Sequence, residues 1–174
     1  MDNDEIASII LGTSNYDNAK SGNMVSITGD GGNAWGYYGP ACKKLAPRFF
    51  TYSAYEEKRQ ELLKLKEQLT KEKYLEYKKK IEDEYILSYY ETRLENLDVY
   101  DLLDFFQKKY GKNIILLCHE PVIEFCHRRL FADYLELQTG IYIPEVTVLP
   151  DGKVKKIIPI RYKNRLMKVI NERD

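Results

Sequence analysis

The hydrophobic pattern of the chain contains two short, mainly apolar segments, at 6–14 (IASIILGTS) and 113–120 (NIILLCHE). A run of this length that ends in small or polar residues is typical of a strand buried on both faces of a parallel sheet. A third segment, MVSIT at 24–28, predicts another strand. Residues 146–158 (VTVLPDGKVKKII) predict two short strands joined at Pro-Asp-Gly, which favours a small C-terminal β-hairpin.

Residues 55–97 have a different character, because they are rich in Glu, Lys, Leu and Tyr and contain neither Gly nor Pro. Leucines recur there at helical spacing, at positions 62, 65 and 69. Thr70 is a candidate N-cap for a second helix, so the segment is either a helical hairpin or one long helix. We expect it to be an insertion packed beside the core of a single domain that spans residues 1–174.

Helices are also predicted on both sides of the run at 113–120. Asp98 is a candidate N-cap for VYDLLDFFQKKY, and Gly111 follows the last turn of that helix. A further helix, from about residue 125 to 138, ends at Gly140. The alternation of helix and buried strand predicts an α/β fold, specifically a three-layer α/β/α sandwich with a mostly parallel sheet, the helical hairpin insertion and the C-terminal β-hairpin.

Composition and charge narrow the classes of partner. The apolar share of 44% and the charged share of 31% are those of an ordinary globular protein. The 27 basic and 27 acidic residues cancel, so binding of nucleic acid would need a local basic patch. The segment 153–173 is the candidate for such a patch, and the alternative is the solvated surface of a strand and a helix.

The same features predict the location of the protein. No stretch reaches the roughly 18 apolar residues that a membrane span needs, so we expect no membrane association. The first residues, MDNDE, lack the basic start of a secretory signal, and three cysteines do not suggest a disulfide framework. We therefore expect a cytoplasmic protein, and its abundance of Lys, Tyr, Ile and Asn is typical of an AT-rich bacterial or phage genome.

Both histidines and two of the three cysteines lie in residues 118–129, CHEPVIEFCHRR. This segment joins the end of a strand to the start of a helix, where unpaired N–H groups and partial positive charge favour an anion. Arg128 and Arg129 are therefore candidate ligands for phosphate or carboxylate. Trp35, in the glycine-rich segment 29–40, either caps a core or stacks on a planar ligand.

Three residues of the same segment are candidates for catalysis, namely Cys126, His127 and Glu120. Cys126 lies near a predicted helix start and next to His127, where a thiol pKa can fall enough to give a nucleophilic thiolate. Glu120, across the turn, is a candidate acid or base, or it holds an arginine or a ribose hydroxyl. Cys118 is better interpreted as a small buried hydrophobe, and the role of His119 is open.

A metal site is the alternative explanation for the Cys-His pairs at 118/119 and 126/127. Neighbouring residues on a strand point to opposite faces, and neighbours on a helix diverge by about 100°, so the four side chains are not expected to meet. Two protein ligands, or three with Cys42, make a poor zinc site, and the spacing matches no standard zinc pattern. The sequence therefore predicts no metal and no other cofactor.

At these residues the chain resembles the prokaryotic and viral family named domain of unknown function 488. The family's Leu-Cys-x-Glu element is similar to Leu117–Glu120, and its Cys-His-Arg triplet is similar to Cys126–Arg128. Weaker similarities follow the chain in order, at TSNY (13–16), SIT (26–28), Trp35, LAP (45–47) and TGIYIPEV (139–146). The resemblance implies a three-layer α/β/α domain with a pocket at the strand ends, where Thr13 and Ser14 face the triplet. His119 departs from the family pattern, in which that position is small or variable.

These observations lead to two hypotheses. The first is a small nucleotide- or base-handling protein, a hydrolase or transferase, with an anion-binding pocket at 118–129. In it Arg128 holds a phosphate, Trp35 or a tyrosine of the hairpin stacks on the base, and the catalytic candidates act on the ligand. The second is a binding module without turnover that sequesters a nucleotide-like ligand or docks on a protein partner, as a phage anti-defence protein would. The sequence does not decide between enzyme and binding module, and it leaves a homo-oligomer open.

Overall fold

The structure, a computed structural model, describes residues 1–173 and contains in them one five-stranded sheet. The strands are β1 Ile10–Asn15, β2 Asn23–Ser26, β3 Ile114–Cys118, β4 Glu145–Val148 and β5 Val154–Ile157. Their order in the sheet is β2-β3-β1-β4-β5, with β1 to β4 parallel and β5 antiparallel to β4. The predicted α/β class, with a mostly parallel sheet and a C-terminal pair of antiparallel strands, is confirmed.

The α-helices of the described residues are α1 Asn3–Ile9, α2 Phe49–Leu65, α3 Lys71–Tyr89, α4 Val99–Tyr110, α5 His127–Thr139 and α6 Lys163–Arg173. Local signals set several of their ends. The Thr70 hydroxyl accepts the N–H of Lys73 at 3.1 Å, and the Asp98 carboxylate accepts the N–H of Tyr100 at 3.0 Å. Gly140 ends α5 with a φ of 77°, a conformation that favours glycine. These N-caps and this helix end are the predicted ones.

The first strand begins later than the sequence predicts. Residues 6–9 belong to α1, whose N-cap Asp2 accepts the N–H of Glu5 at 2.8 Å, and the strand starts at Ile10. Ile6 and Ile9 are three residues apart and both are buried, so the apolar run satisfies helical spacing in its first half. The prediction of a strand from residue 6 is wrong because a short apolar run does not by itself distinguish helix from strand.

The charged segment forms a helical hairpin, not one long helix. Helices α2 and α3 are joined by residues 66–70, and contacts between Thr51 and Ser88 and between Lys58 and Glu84 tie them side by side. The hairpin begins at Phe49, six residues before the predicted start of the insertion at 55. After α3 the chain makes one wider π-helical turn, Tyr90–Leu94, and then enters α4.

The two faces of the sheet are covered differently. Ile114 and Leu116 of β3 point into the larger apolar cluster, to which all six helices contribute. Ile115 and Leu117 point to the opposite face, as alternation along a strand requires. Among the described residues the cluster on that second face consists of strand side chains and of the loop residues Tyr16, Ala19 and Tyr37, with no helix residue. The second helix layer that a three-layer α/β/α sandwich requires is therefore not seen in this cluster. Burial of β3 on both faces explains its uninterrupted apolar sequence.

Candidate functional site

A pocket of about 700 Å³ lies beyond the carboxyl ends of β2 and β3. It is bounded by the loop after β2, the start of α2, the turn after β3 and the first residue of α5. Ligands of open α/β sheets bind in this position. We name it the strand-end pocket, and its lining includes Trp35, Lys43, Arg48, Arg93, His119, Glu120 and His127.

One side of the strand-end pocket is aromatic. The indole of Trp35 stacks on the imidazole of His119, with ring centroids 4.7 Å apart and planes inclined by 7°. Gly32 and Gly36, at φ of 93° and 78°, flank the short turn that carries Trp35. Asp30 holds the loop by accepting the N–H of Gly32 at 2.8 Å. Trp35 is 56% exposed, so it does not cap the core, and much of its surface is available to a ligand.

The same pocket carries three cationic side chains, Lys43, Arg48 and Arg93. None of them forms an ion pair with a carboxylate within residues 1–173. Arg93 is positioned by a hydrogen bond from its Nε to the carbonyl of Ala46, at 2.6 Å. Burial and the nearby charge of Arg48 lower the pKa of Arg93, so an anion placed between the two guanidinium groups would relieve their repulsion.

Two titratable groups, Glu120 and His127, also line the pocket. His127 Nε2 is 2.7 Å from the carbonyl oxygen of Ile27, and because a carbonyl only accepts, Nε2 is the donor. Burial lowers the pKa of His127, which favours neutral imidazole with an unprotonated Nδ1. Burial opposes ionisation of Glu120, but the positive charge that His127 and His119 carry when protonated, and a hydrogen bond from Cys126, hold its pKa below the usual value. The pocket therefore contains a carboxylate beside a neutral imidazole.

Cys126 is the N-cap of α5 and is only 2% exposed. Its Sγ accepts the N–H of Arg128 at 3.4 Å, and its thiol donates to Glu120 Oε2 at 3.0 Å. Burial, reinforced by the adjacent thiol of Cys118, raises the pKa of Cys126 well above its usual value. The pKa lowering expected from a helix N-terminus is thus outweighed by burial, and Cys126 is a protonated thiol behind the pocket surface.

Arg128 is buried, with 1% exposure, and its donors are used within the protein. Its Nη2 is 2.8 Å from Oε2 of Glu145, and its Nε is 3.1 Å from Oε1 of the same carboxylate. Its Nη1 donates to the carbonyl of Glu120 at 2.9 Å and lies 3.2 Å from Cys126 Sγ and 3.4 Å from Cys118 Sγ. Arg128 therefore links α5 to β4 and to the turn after β3, and it does not line the strand-end pocket.

Arg129, Thr13 and Ser14 are buried as well. Arg129 Nη1 donates to the Thr13 hydroxyl at 2.8 Å, and that hydroxyl donates to Glu145 at 2.5 Å. The Ser14 hydroxyl donates to the carbonyl of Val146 at 2.7 Å. Thr13 thus lies close to the start of α5, but these three side chains connect β1, β4 and α5 and are separate from the pocket lining.

The structure therefore brings together some of the predicted site residues and adds others. Trp35, Glu120 and His127 share one pocket, together with His119. The pocket cations Lys43, Arg48 and Arg93 were missed. The first two flank the LAP segment at 45–47. Arg93 lies on the π-helical turn and carries no local sequence signal.

Two features bear on larger partners. The arginines of the C-terminal basic segment pair with carboxylates elsewhere in the fold, Arg161 with Asp133 and Arg173 with Glu95, so much of its charge is neutralised. Lys155 and Lys156, on β5, are exposed.

Within residues 1–173 no helix has both the length and the apolar character to cross a bilayer.

Comparison of the chain with protein-family models, with curated proteins and with solved structures found no match. The resemblance to domain of unknown function 488 therefore stays a prediction that rests on the motifs quoted above. Fold and site define an α/β protein with a ligand-sized pocket at the carboxyl ends of its parallel strands, and the chemistry of the pocket lining is what bears on function.

Proposed function

We propose that the strand-end pocket binds a nucleotide-like ligand, an aromatic base joined to a phosphate or a similar anion, and that the protein acts on it as a hydrolase or transferase. One observation carries the proposal: an aromatic platform and three cations that have no carboxylate partner within residues 1–173 line the same pocket. Its volume of about 700 Å³ is within the range of about 300–1,000 Å³ that is usual for small-molecule sites.

The aromatic platform supports a planar group in the ligand. Trp35 and His119 stack with nearly parallel planes, and a base added to such a stack contributes about 1–3 kcal/mol. The turn that carries Trp35 has internal support, because Asp30 accepts the N–H of Gly32 and the indole stacks on His119 without any ligand. Preordered side chains reduce the entropy lost on binding.

The cations support an anionic group. Lys43, Arg48 and Arg93 outnumber the two carboxylates of the pocket lining, Asp30 and Glu120. The proposal assigns the phosphate to these three cations and not to Arg128 or Arg129, because the latter two are buried.

Acid–base chemistry is assigned to Glu120 and His127, which both line the pocket. A carboxylate can accept a proton from water or from a hydroxyl of the ligand, and the unprotonated Nδ1 of a neutral imidazole can do the same. Covalent chemistry at Cys126 would require transfer of its proton to Glu120 and exposure of a thiol that is now buried. The burial of Cys126 argues against covalent catalysis. The second candidate, a binding module without turnover, applies if no substrate is converted.

Thermal denaturation with a panel of mononucleotides, nucleosides and inorganic phosphate tests the proposal. At 100 times Kd a ligand stabilises a protein by about 2.7 kcal/mol, which is roughly 5–10 °C in Tm for a chain of this size. We expect mononucleotides to give the largest shift. Trp35→Ala should weaken the binding of nucleotides and nucleosides alike. Lys43→Gln with Arg48→Gln should weaken the binding only of ligands that carry phosphate.

Lys155→Gln with Lys156→Gln removes the same charge from exposed positions on β5 and is the matched control. Equal loss of binding in this control, or no shift with any nucleotide, contradicts the proposal. Turnover is followed by chromatography of the bound nucleotide, and Glu120→Gln should stop it while binding remains. Binding without any product selects the binding module.

A further inference from the structure

Four side chains able to bind a metal converge next to the strand-end pocket. One ligand atom each from Cys118, Glu120, Cys126 and His127 lies within 4.8 Å of the other three. In a tetrahedral zinc site with Zn–S bonds of about 2.3 Å, two sulfur ligands are separated by about 3.8 Å. Small side-chain movements are therefore enough to bring the four atoms onto one ion.

The convergence depends on the backbone at Cys126. Its φ of −152° and ψ of 139° are extended, because it is the N-cap of α5 and not a residue within the helix. The 100° divergence of helical neighbours therefore does not apply to Cys126 and His127. The other two members, Cys118 and Glu120, are two residues apart at the end of β3, and His119 between them turns to Trp35 instead.

The surroundings of the cluster are those of metal ligands. His127 Nε2 donates to the Ile27 carbonyl at 2.7 Å, which leaves Nδ1 as the ligand atom, and metal-binding histidines almost always donate their second ring nitrogen in this way. Arg128 Nη1 lies 3.2 Å from Cys126 Sγ and 3.4 Å from Cys118 Sγ, positions from which its N–H groups donate to thiolates.

We propose that Cys118, Cys126, His127 and Glu120 form a Zn²⁺ site. Two sulfurs, one imidazole nitrogen and one carboxylate oxygen make a donor set that suits Zn²⁺ better than Mg²⁺ or Ca²⁺. Binding forms two Zn–S bonds and releases both thiol protons to solvent, without oxidation or reduction. Because Zn²⁺ with two thiolates adds no net charge, the ion enters this buried region without an uncompensated charge. Binding of the base and phosphate by Trp35, Lys43, Arg48 and Arg93 does not depend on this site. Acid–base chemistry at Glu120 and His127 does, because a bound Zn²⁺ would occupy the atoms that otherwise accept a proton.

Metal analysis of the full chain tests this directly. Protein purified with a reductant is loaded with Zn²⁺, desalted and analysed by mass spectrometry, and we expect stoichiometric zinc. Loading with Co²⁺ instead should give the near-ultraviolet absorption of thiolate-to-cobalt charge transfer. Cys118→Ser or Cys126→Ser should each remove about half of that absorption, because each removes one of two sulfur ligands.

Cys42→Ser is the matched control, since Cys42 is also a buried free cysteine but lies outside the cluster, and it should keep the full absorption. Trp35→Ala should lose nucleotide binding and keep the metal, which separates this proposal from the proposed function. Absence of zinc and of cobalt–thiolate absorption in wild-type protein overturns the site. The cationic neighbour of both sulfurs would then be Arg128, which donates a hydrogen bond to each. The wild-type spectrum decides even if a cysteine variant does not fold.

Discussion

Glu145→Gln tests how far the fold depends on the buried ion pair between β4 and α5. The side chains of Arg128 and Glu145 are each 1% exposed, and the closest approach of their charged atoms is 2.8 Å. Without the carboxylate charge, the guanidinium is left in the core without its main partner, which typically costs about 3–5 kcal/mol. The free energy of unfolding of a domain of this kind is about 5–15 kcal/mol, so the replacement removes a large part of the stability.

Urea unfolding followed by far-UV circular dichroism measures this loss, and Tm should fall by roughly 6–20 °C. Asp104→Asn is the control, because Asp104 pairs with Lys108 at 2.7 Å on an exposed face of α4, and we expect no measurable change there. A loss below about 1 kcal/mol for Glu145→Gln, or one equal to that of the control, refutes the reasoning. A double replacement, Arg128→Met with Glu145→Leu, should be more stable than Glu145→Gln, because neither charge of this pair remains.

Two further comparisons of variants test local features of the fold. Asp98→Ala should destabilise the protein by about 1 kcal/mol by removing the N-cap of α4, whereas Asp98→Asn keeps the acceptor and should cost much less; urea midpoints compare the two. Gly32→Ala should cost more than Gly36→Ala in Tm, because both have positive φ but only at Gly32 would the new Cβ lie 2.6 Å from the Tyr16 hydroxyl. Equal losses at the two glycines would mean that backbone strain alone acts.

Elements with strong local signals were predictable from the sequence. The buried strand β3 follows from its uninterrupted apolar run, and Thr70 and Asp98 mark helix starts because a side-chain acceptor near the first free N–H groups needs no distant partner. The start of β1 was not predictable, since Ile6 and Ile9 satisfy helical spacing inside a run that also suits a strand. Tertiary packing decides such cases.

The site was predictable only in part, for two physical reasons. Whether Cys126 and His127 converge depends on which of them is the N-cap, and sequence patterns do not fix a helix end to one residue. The cations of the pocket come from segments far apart in the chain, so only the folded sheet brings Arg93 to Lys43 and Arg48. The burial that raises the pKa of Cys126 and takes Arg128 out of the pocket is likewise a property of the packed core.

The strand-end pocket is assembled from residues 28–52, Arg93 and residues 119–127, with most of α2, α3 and α4 between them in the chain. None of these three parts encloses a volume alone, and pairing of β2 with β3 brings the first and the last of them together. Ligand binding is therefore coupled to cooperative folding of the whole chain, not to a local opening. A bound ligand should slow amide hydrogen exchange throughout β3 by a common factor, so that occupancy of the pocket becomes a measure of global unfolding.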